Sequence, residues 1–185
     1  TLLQRRQAFD VWMKSSKRPT AQGLTIDPKA GRITEDGKLN LWRGFTVEPK
    51  AGDWSLSRDL IEDVLCCGDK DHARYVMRWI AWKVQHATDK TDVALVFRGK
   101  KGSGKGTLAR LLLSLFGSHA RQVSSSKHLV GSFNGHLANA LLVNADESFW
   151  AGDPNAEGVL KARITEPSML IEPKGTTNTG DAGGE

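Results

Sequence analysis

Val93-Ala94-Leu95-Val96-Phe97-Arg98-Gly99-Lys100-Lys101-Gly102-Ser103-Gly104-Lys105-Gly106-Thr107 is the stretch that decides the fold. Its first five residues form an apolar run that predicts a buried strand. The glycines that follow predict a tight turn, and Leu108 to Phe116 predicts a helix opening directly behind it. A strand, a glycine-rich loop and a helix N-terminus in this order build a cradle for phosphate. Glycine lets main-chain N–H groups converge without Cβ obstruction, and the helix points its partial positive end at the same spot. Gly99, Lys100, Lys101, Gly102, Ser103, Gly104, Lys105, Gly106 and Thr107 are therefore the candidate triphosphate-binding residues. Lys105 is placed to reach the β- and γ-phosphates. The usual pattern sets Ser or Thr directly after the lysine as a magnesium ligand, whereas here Gly106 intervenes and Thr107 follows. The metal-ligating role of Thr107 is correspondingly open, and a Gly-Lys-Gly-Thr ending also occurs in nucleotide-monophosphate kinases.

Outward from the loop, a second apolar run, Ala140-Leu141-Leu142-Val143, leads through Asn144-Ala145 to Asp146-Glu147. Strands alternating with helices at this spacing predict an α/β layer with a parallel sheet. In such sheets ligands gather at the carboxyl ends of strands, which would place the acidic pair beside the phosphate loop. Asp146 is the candidate Mg²⁺ ligand, and Glu147 the candidate for polarising an attacking water. An adjacent glutamate favours hydrolysis of ATP over transfer of its phosphate to another acceptor.

Upstream, Leu2 to Lys14 reads as a short helix and residues 20–54 as a turn-rich segment with small strands or an irregular wrap. Leu60, Ile61, Val64 and Leu65 share one helical face, with Ser57 as the expected N-cap and Gly68 as the stop. Asp69 or Asp71 opens the next helix, to about His86. Tyr75, Val76, Trp79, Ile80 and Trp82 are its apolar members, expected to pack between helices. Downstream of the loop, Gly117 ends the helix, Arg121-Gln122-Val123 reads as a short strand, and Ser124-Ser125-Ser126 caps a further helix through Leu137. The expected divisions are an N-terminal irregular or β segment (1–54), a small helical region (55–90), the phosphate-loop core (91–175) and a polar tail (176–185).

Charge is compatible with a polyanionic partner, and for residues 1–50 taken alone equally with solvated basic faces. Residues 1–50 carry 10 Lys and Arg against 5 Asp and Glu, and 91–135 carry 7 against 1, whereas 136–185 carry 3 against 8. A basic segment around a phosphate loop suits nucleotide and a nucleic-acid backbone. No apolar run approaches the ~20 residues of a membrane span, and no signal-peptide pattern opens the chain. The two cysteines, Cys66 and Cys67, are adjacent and lack metal-ligand spacing, which fits a reducing compartment. His72, His86, His119, His128 and His136 are scattered and read as structural or surface groups.

With both motifs in place, the chain resembles the superfamily 3 helicase domain of phage and mobile-element primase-helicases. The resemblance rests on Leu39-Asn40-Leu41-Trp42-Arg43-Gly44-Phe45 with Glu48-Pro49, the phosphate loop, Lys127 to Asn134, Ala145 to Asp153 and Glu157 to Lys161, and it covers roughly residues 9–175. It implies a hexameric, ATP-driven DNA helicase in the host cytoplasm that moves single-stranded DNA through a central channel, alongside a primase or polymerase domain. It further implies a hairpin behind the acidic pair that projects basic residues into that channel, for which Lys161 and Lys174 are the candidates. The family's γ-phosphate-sensing asparagine is not carried onto Asn178, which lacks an apolar run before it. A small-molecule phosphotransferase and a non-catalytic assembly module are the alternatives.

Overall fold

In a computed structural model of the 185-residue chain, the described residues are 2–131, 134–146, 154–166 and 171–172. They divide into two compact units, Thr1–Trp42 and Arg43–Glu185.

The first unit holds helix α1 (Leu2–Lys14) and a pair of two-residue strands, β1 (Leu24–Thr25) and β2 (Leu39–Asn40), in parallel register. Strands this short do not hold a loop together, and a side chain does that work. Asn40 is buried, and its amide donates to the carbonyls of Asp27, Ala30 and Gly31 at 2.8, 3.0 and 3.1 Å. Its Oδ1 accepts from the N–H groups of Asp27 and Trp42, both at 3.0 Å. One asparagine thus satisfies five main-chain groups, which is how an irregular wrap remains ordered.

The second unit opens its helical part with α2 (Ser55–Asp59), which continues as a π-helical turn over Leu60–Leu65. The wide turn shows in the Cys66 N–H, which reaches back five residues to the Ile61 carbonyl at 2.9 Å. Helix α3 (Lys70–Gln85) follows. Of the two acids expected to open it, Asp69 does so, accepting from the N–H groups of Asp71 and His72 at 3.0 and 2.9 Å. Helix α2 begins at Ser55 rather than behind Ser57, three residues early, and the carboxylate of Asp53 takes the Ser55 N–H at 2.9 Å where the turn starts.

Two readings of this region need correction. Val76 is buried on α3, but Tyr75 is 52% and Trp82 38% exposed, so these two rings point away from the helix packing in which they were expected. The run Val93–Phe97 forms no ladder with another strand among the described residues. Leu95 and Phe97 lie against the core and Val96 faces out, and side chains fix the run in place of a sheet. Trp79 Nε1 and Thr91 Oγ1 both donate to the Val93 carbonyl, at 3.1 and 2.8 Å.

Helix α4 (Lys105–Phe116) stops at Gly117 as expected, with φ of 50° there. Strand β3 (Ala120–Val123) pairs in parallel with β4 (Leu142–Ala145), from Ala120 opposite Leu142 to Val123 opposite Ala145, and α4 packs against both. Between them run a short helix α5 (Ser126–Val130) and a 3₁₀ turn at Gly135–Leu137. The single helix expected from Ser124–Ser126 to Leu137 is broken at Gly131, where its backbone entropy disfavours continuation. Helix α6 (Pro154–Thr165) is the last described helix.

Two apolar clusters hold the unit. Ile61, Ala73, Val76 and Leu108 join the π turn, α3 and α4 and receive Leu95 and Phe97. Val123, Leu129 and Leu137 lie under the parallel pair and receive Leu160 from α6.

Candidate functional site

The site is built on the loop between Phe97 and α4. Gly102 and Gly104 both take φ of 83°, the left-handed region that L side chains rarely adopt. A Cβ on Gly104 would lie 2.7 Å from Leu60 Cδ1, so glycine is also what lets the π turn close over the loop. The π geometry sends Ile61 into the core while Leu60 and Val64 face Gly104.

Gly104 is the N-cap of α4, and its carbonyl accepts from Thr107 N–H at 2.9 Å and Leu108 N–H at 3.3 Å. The first N–H groups of such a helix have no carbonyl one turn earlier to bond to, and they carry its positive end. Lys105 adds a full charge at that end. Its ammonium is folded back over the loop, donating to the carbonyls of Gly99 and Lys100 at 3.0 and 2.8 Å and to Ser103 Oγ at 3.1 Å. Three neutral acceptors that an anionic oxygen can replace surround a movable cation. That arrangement fits a polyphosphate on chemical grounds. Thr107 Oγ1 accepts from Arg110 Nη2 at 3.3 Å, so an exposed guanidinium also stands near the candidate metal ligand.

Asp146 follows directly on β4, at the carboxyl end of the parallel pair, where its N–H donates to the Val123 carbonyl at 2.9 Å. This extends the ladder by one residue and leaves Asp146 exposed at the strand end. Glu147 lies outside the described residues, as does Lys174. Lys161 sits on helix α6 rather than on a hairpin, and is paired with Glu157 one turn earlier at 2.7 Å. Pro154 at the first helical position and this i,i+4 ion pair both favour helix there. Among the described residues no group of three or more His, Cys, Asp and Glu side chains is arranged to hold a metal, and no helix is long and apolar enough to cross a membrane.

Sequence reasoning missed the cationic caps that fix the lead-in to the loop. The Lys83 ammonium donates to the carbonyls of Ala87 and Asp89, both at 2.7 Å, closing the end of α3. Burial pushes its pKa down from 10.5 to about 8, with the Asp89 charge opposing. Lys90 donates to the Arg163 carbonyl at 3.2 Å and to that of Glu166, tying α6 to the segment that enters Val93. No local spacing announces either contact.

Residues 97–180 match a family model described as a family of unknown function, DUF5906. Over 178 residues the chain is 37% identical to a DNA primase-polymerase of Nitratiruptor phage NrS-1. The match covers 90% of this chain but only 24% of that relative, so the chain spans about a quarter of its length. The solved apo C-terminal region of NrS-1 superposes with a TM-score of 0.73 at 25% identity, covering 92% of this chain and 43% of that one. A second apo form of that region gives 0.73 as well, over 95% and 44%. The mixed α/β architecture with its small parallel sheets is thus shared with that region.

Proposed function

We propose that this chain is the ATP-binding part of a phage-type DNA replication protein, hydrolysing ATP to move along single-stranded DNA. The observation that carries the reading is Lys105 at the N-terminus of α4, enclosed by loop acceptors and preceded by two left-handed glycines. A bound triphosphate would take over the ammonium, with α4 directing its first N–H groups at the same oxygens. Mg²⁺, held by Thr107 and Asp146, would neutralise charge on the β- and γ-phosphates. Glu147 would orient and deprotonate the attacking water. Similarity to a DNA primase-polymerase supports a place in DNA replication. Lys161 and Lys174 would meet the DNA backbone without reading sequence, and assembly into a hexameric ring would complete the motor.

Binding of a fluorescent ATP analogue, together with phosphate release, tests this. Lys105→Ala is expected to weaken nucleotide binding at least about tenfold, since a charge-assisted contact to phosphate contributes about 1.5–3 kcal/mol. Glu147→Gln is expected to keep affinity while abolishing hydrolysis. Wild-type protein that binds no nucleotide, or a Lys105→Ala variant that binds normally, would overturn the assignment. Transfer of the γ-phosphate to a nucleotide or sugar acceptor would move it to the phosphotransferases.

A further inference from the structure

The outward face of α3 carries aromatic rings where an amphipathic helix ordinarily shows only polar groups. Ala73, Val76 and the stem of Lys83 are buried on its inner side. Arg74, Tyr75, Arg78, Trp82 and His86 follow one another at helical spacing on the outer side, and all are exposed. Leaving two large rings in water forgoes the burial that usually stabilises them.

We propose that this face is a platform for single-stranded DNA, with Tyr75 and Trp82 stacking on unpaired bases and Arg74 and Arg78 meeting the phosphates between. The inference extends the DNA-directed part of the function proposed above to a separate surface. Spacing supports it. Tyr75 and Trp82 are seven residues apart, ~10.5 Å along the axis at 1.5 Å per residue. Stacked nucleotides rise ~3.4 Å each, so the two rings meet bases about three steps apart. The indole of Trp82 is held in plane by His86, with ring centroids 4.9 Å apart and an interplanar angle of 20°. A ring fixed in orientation loses less freedom when a base stacks on it.

Charge points the same way. Arg74 is paired with Asp71 at 2.9 Å, and His86 faces Asp89 at 3.4 Å. Lys70, Arg74 and Arg78 stand against Asp71 and Asp89 on this face, a formal excess of one positive charge with His86 neutral. Polyanion attraction with sequence-tolerant stacking is the combination that single-strand binders use. A duplex hides its base faces and gains only the charge term.

Fluorescence anisotropy of a labelled oligothymidylate, in nucleotide-free buffer at fixed salt, tests the proposal. Tyr75→Ala and Trp82→Ala are each expected to weaken binding by about 5- to 150-fold, the range set by 1–3 kcal/mol per stacked base. Tyr75→Phe should retain affinity, because the ring remains. Arg78→Gln should flatten the salt dependence by about 0.7 in log–log slope, the share of one phosphate contact. Wild-type affinity in both alanine variants would overturn the platform, as would an equal loss for duplex and single strand. A fall in sedimenting mass in these variants with unchanged oligonucleotide binding would assign the face to contact between copies, and overturn it too. Labelled-ATP binding is measured on the same samples. Its presence with no effect at Tyr75 and Trp82 rejects the platform and leaves the nucleotide site standing, whereas its absence rejects the nucleotide site alone.

Discussion

The main-chain N–H of Arg43 donates to Nε2 of His119 across 3.1 Å. An imidazole nitrogen that accepts a hydrogen bond carries no proton, so the proton sits on Nδ1, which donates to the Asn139 carbonyl at 3.2 Å. His119 is almost fully buried, and its own carbonyl accepts from Leu141 N–H at 2.8 Å. It therefore joins the start of the second unit, the turn behind α4 and the approach to β4. His119→Ala would leave a cavity and two unmatched main-chain groups. A loss of about 2–4 kcal/mol in urea-unfolding stability is expected. A loss below about 1 kcal/mol would show that water replaces the ring at both positions.

The phosphate loop and the π turn make a second coupled pair. Gly104→Ala forces a side chain into a left-handed conformation, costing about 1–2 kcal/mol, and brings its Cβ against Leu60. Leu60→Ala removes the obstacle and leaves the backbone strain. A double-mutant cycle should therefore show the Gly104→Ala penalty shrinking by at least about 0.5 kcal/mol in the Leu60→Ala background. Strict additivity would mean that Leu60 turns aside freely and the π turn does not brace the loop.

Sequence pattern reached the elements whose causes are local. Gly102 and Gly104, the helix behind them, Asp69 as a cap, Gly117 as a stop and the strand at Arg121–Val123 all follow from residues a few positions apart. It failed where the deciding partner is distant in sequence or is a main-chain carbonyl. Val93–Phe97 has the apolar composition of a buried strand, yet strandness needs a neighbour, and here Trp79 and Thr91 take the Val93 carbonyl. Tyr75 and Trp82 fit an apolar stripe by count, while only coordinates tell which edge of that stripe meets water. The π turn has no signature, because its defining bond, Cys66 N–H to the Ile61 carbonyl, is a main-chain one that any residue can make. His119, Lys83 and Lys90 act through main-chain carbonyls, which every residue possesses, so nothing in the partner's identity signals the contact.

Lys90 offers a local test of how α6 is fastened. Its ammonium bonds the carbonyls of Arg163 and Glu166 at the end of that helix, where cations interact favourably with the exposed carbonyl dipoles. Lys90→Met keeps the stem and removes both bonds. Amide hydrogen exchange is expected to quicken in 162–166 and in 91–97, while α3 keeps its protection. Quickening confined to one of the two segments would show that Lys90 does not link them.

Lys83 gives a pH dependence of defined sign. Its folded pKa of about 8 lies below the ordinary 10.5 because burial penalises the charge. Below about 8 both folded and unfolded chains hold the proton, and the penalty weighs fully on the native state. Between about 8 and 10.5 the unfolded chain binds the extra proton, so stability rises with pH through that window. The neutral amine still has two N–H groups for the carbonyls of Ala87 and Asp89, so the cap survives deprotonation. Cys66 works in the opposite direction, since burial raises its thiol above 9.0 and the unfolded chain releases that proton first. The measurement is therefore the difference between wild type and Lys83→Met in unfolding free energy at pH 7.5, 9 and 10.5. The wild type is expected to gain relative to the variant as pH rises, and a flat difference would show that the ammonium is solvated in the native state.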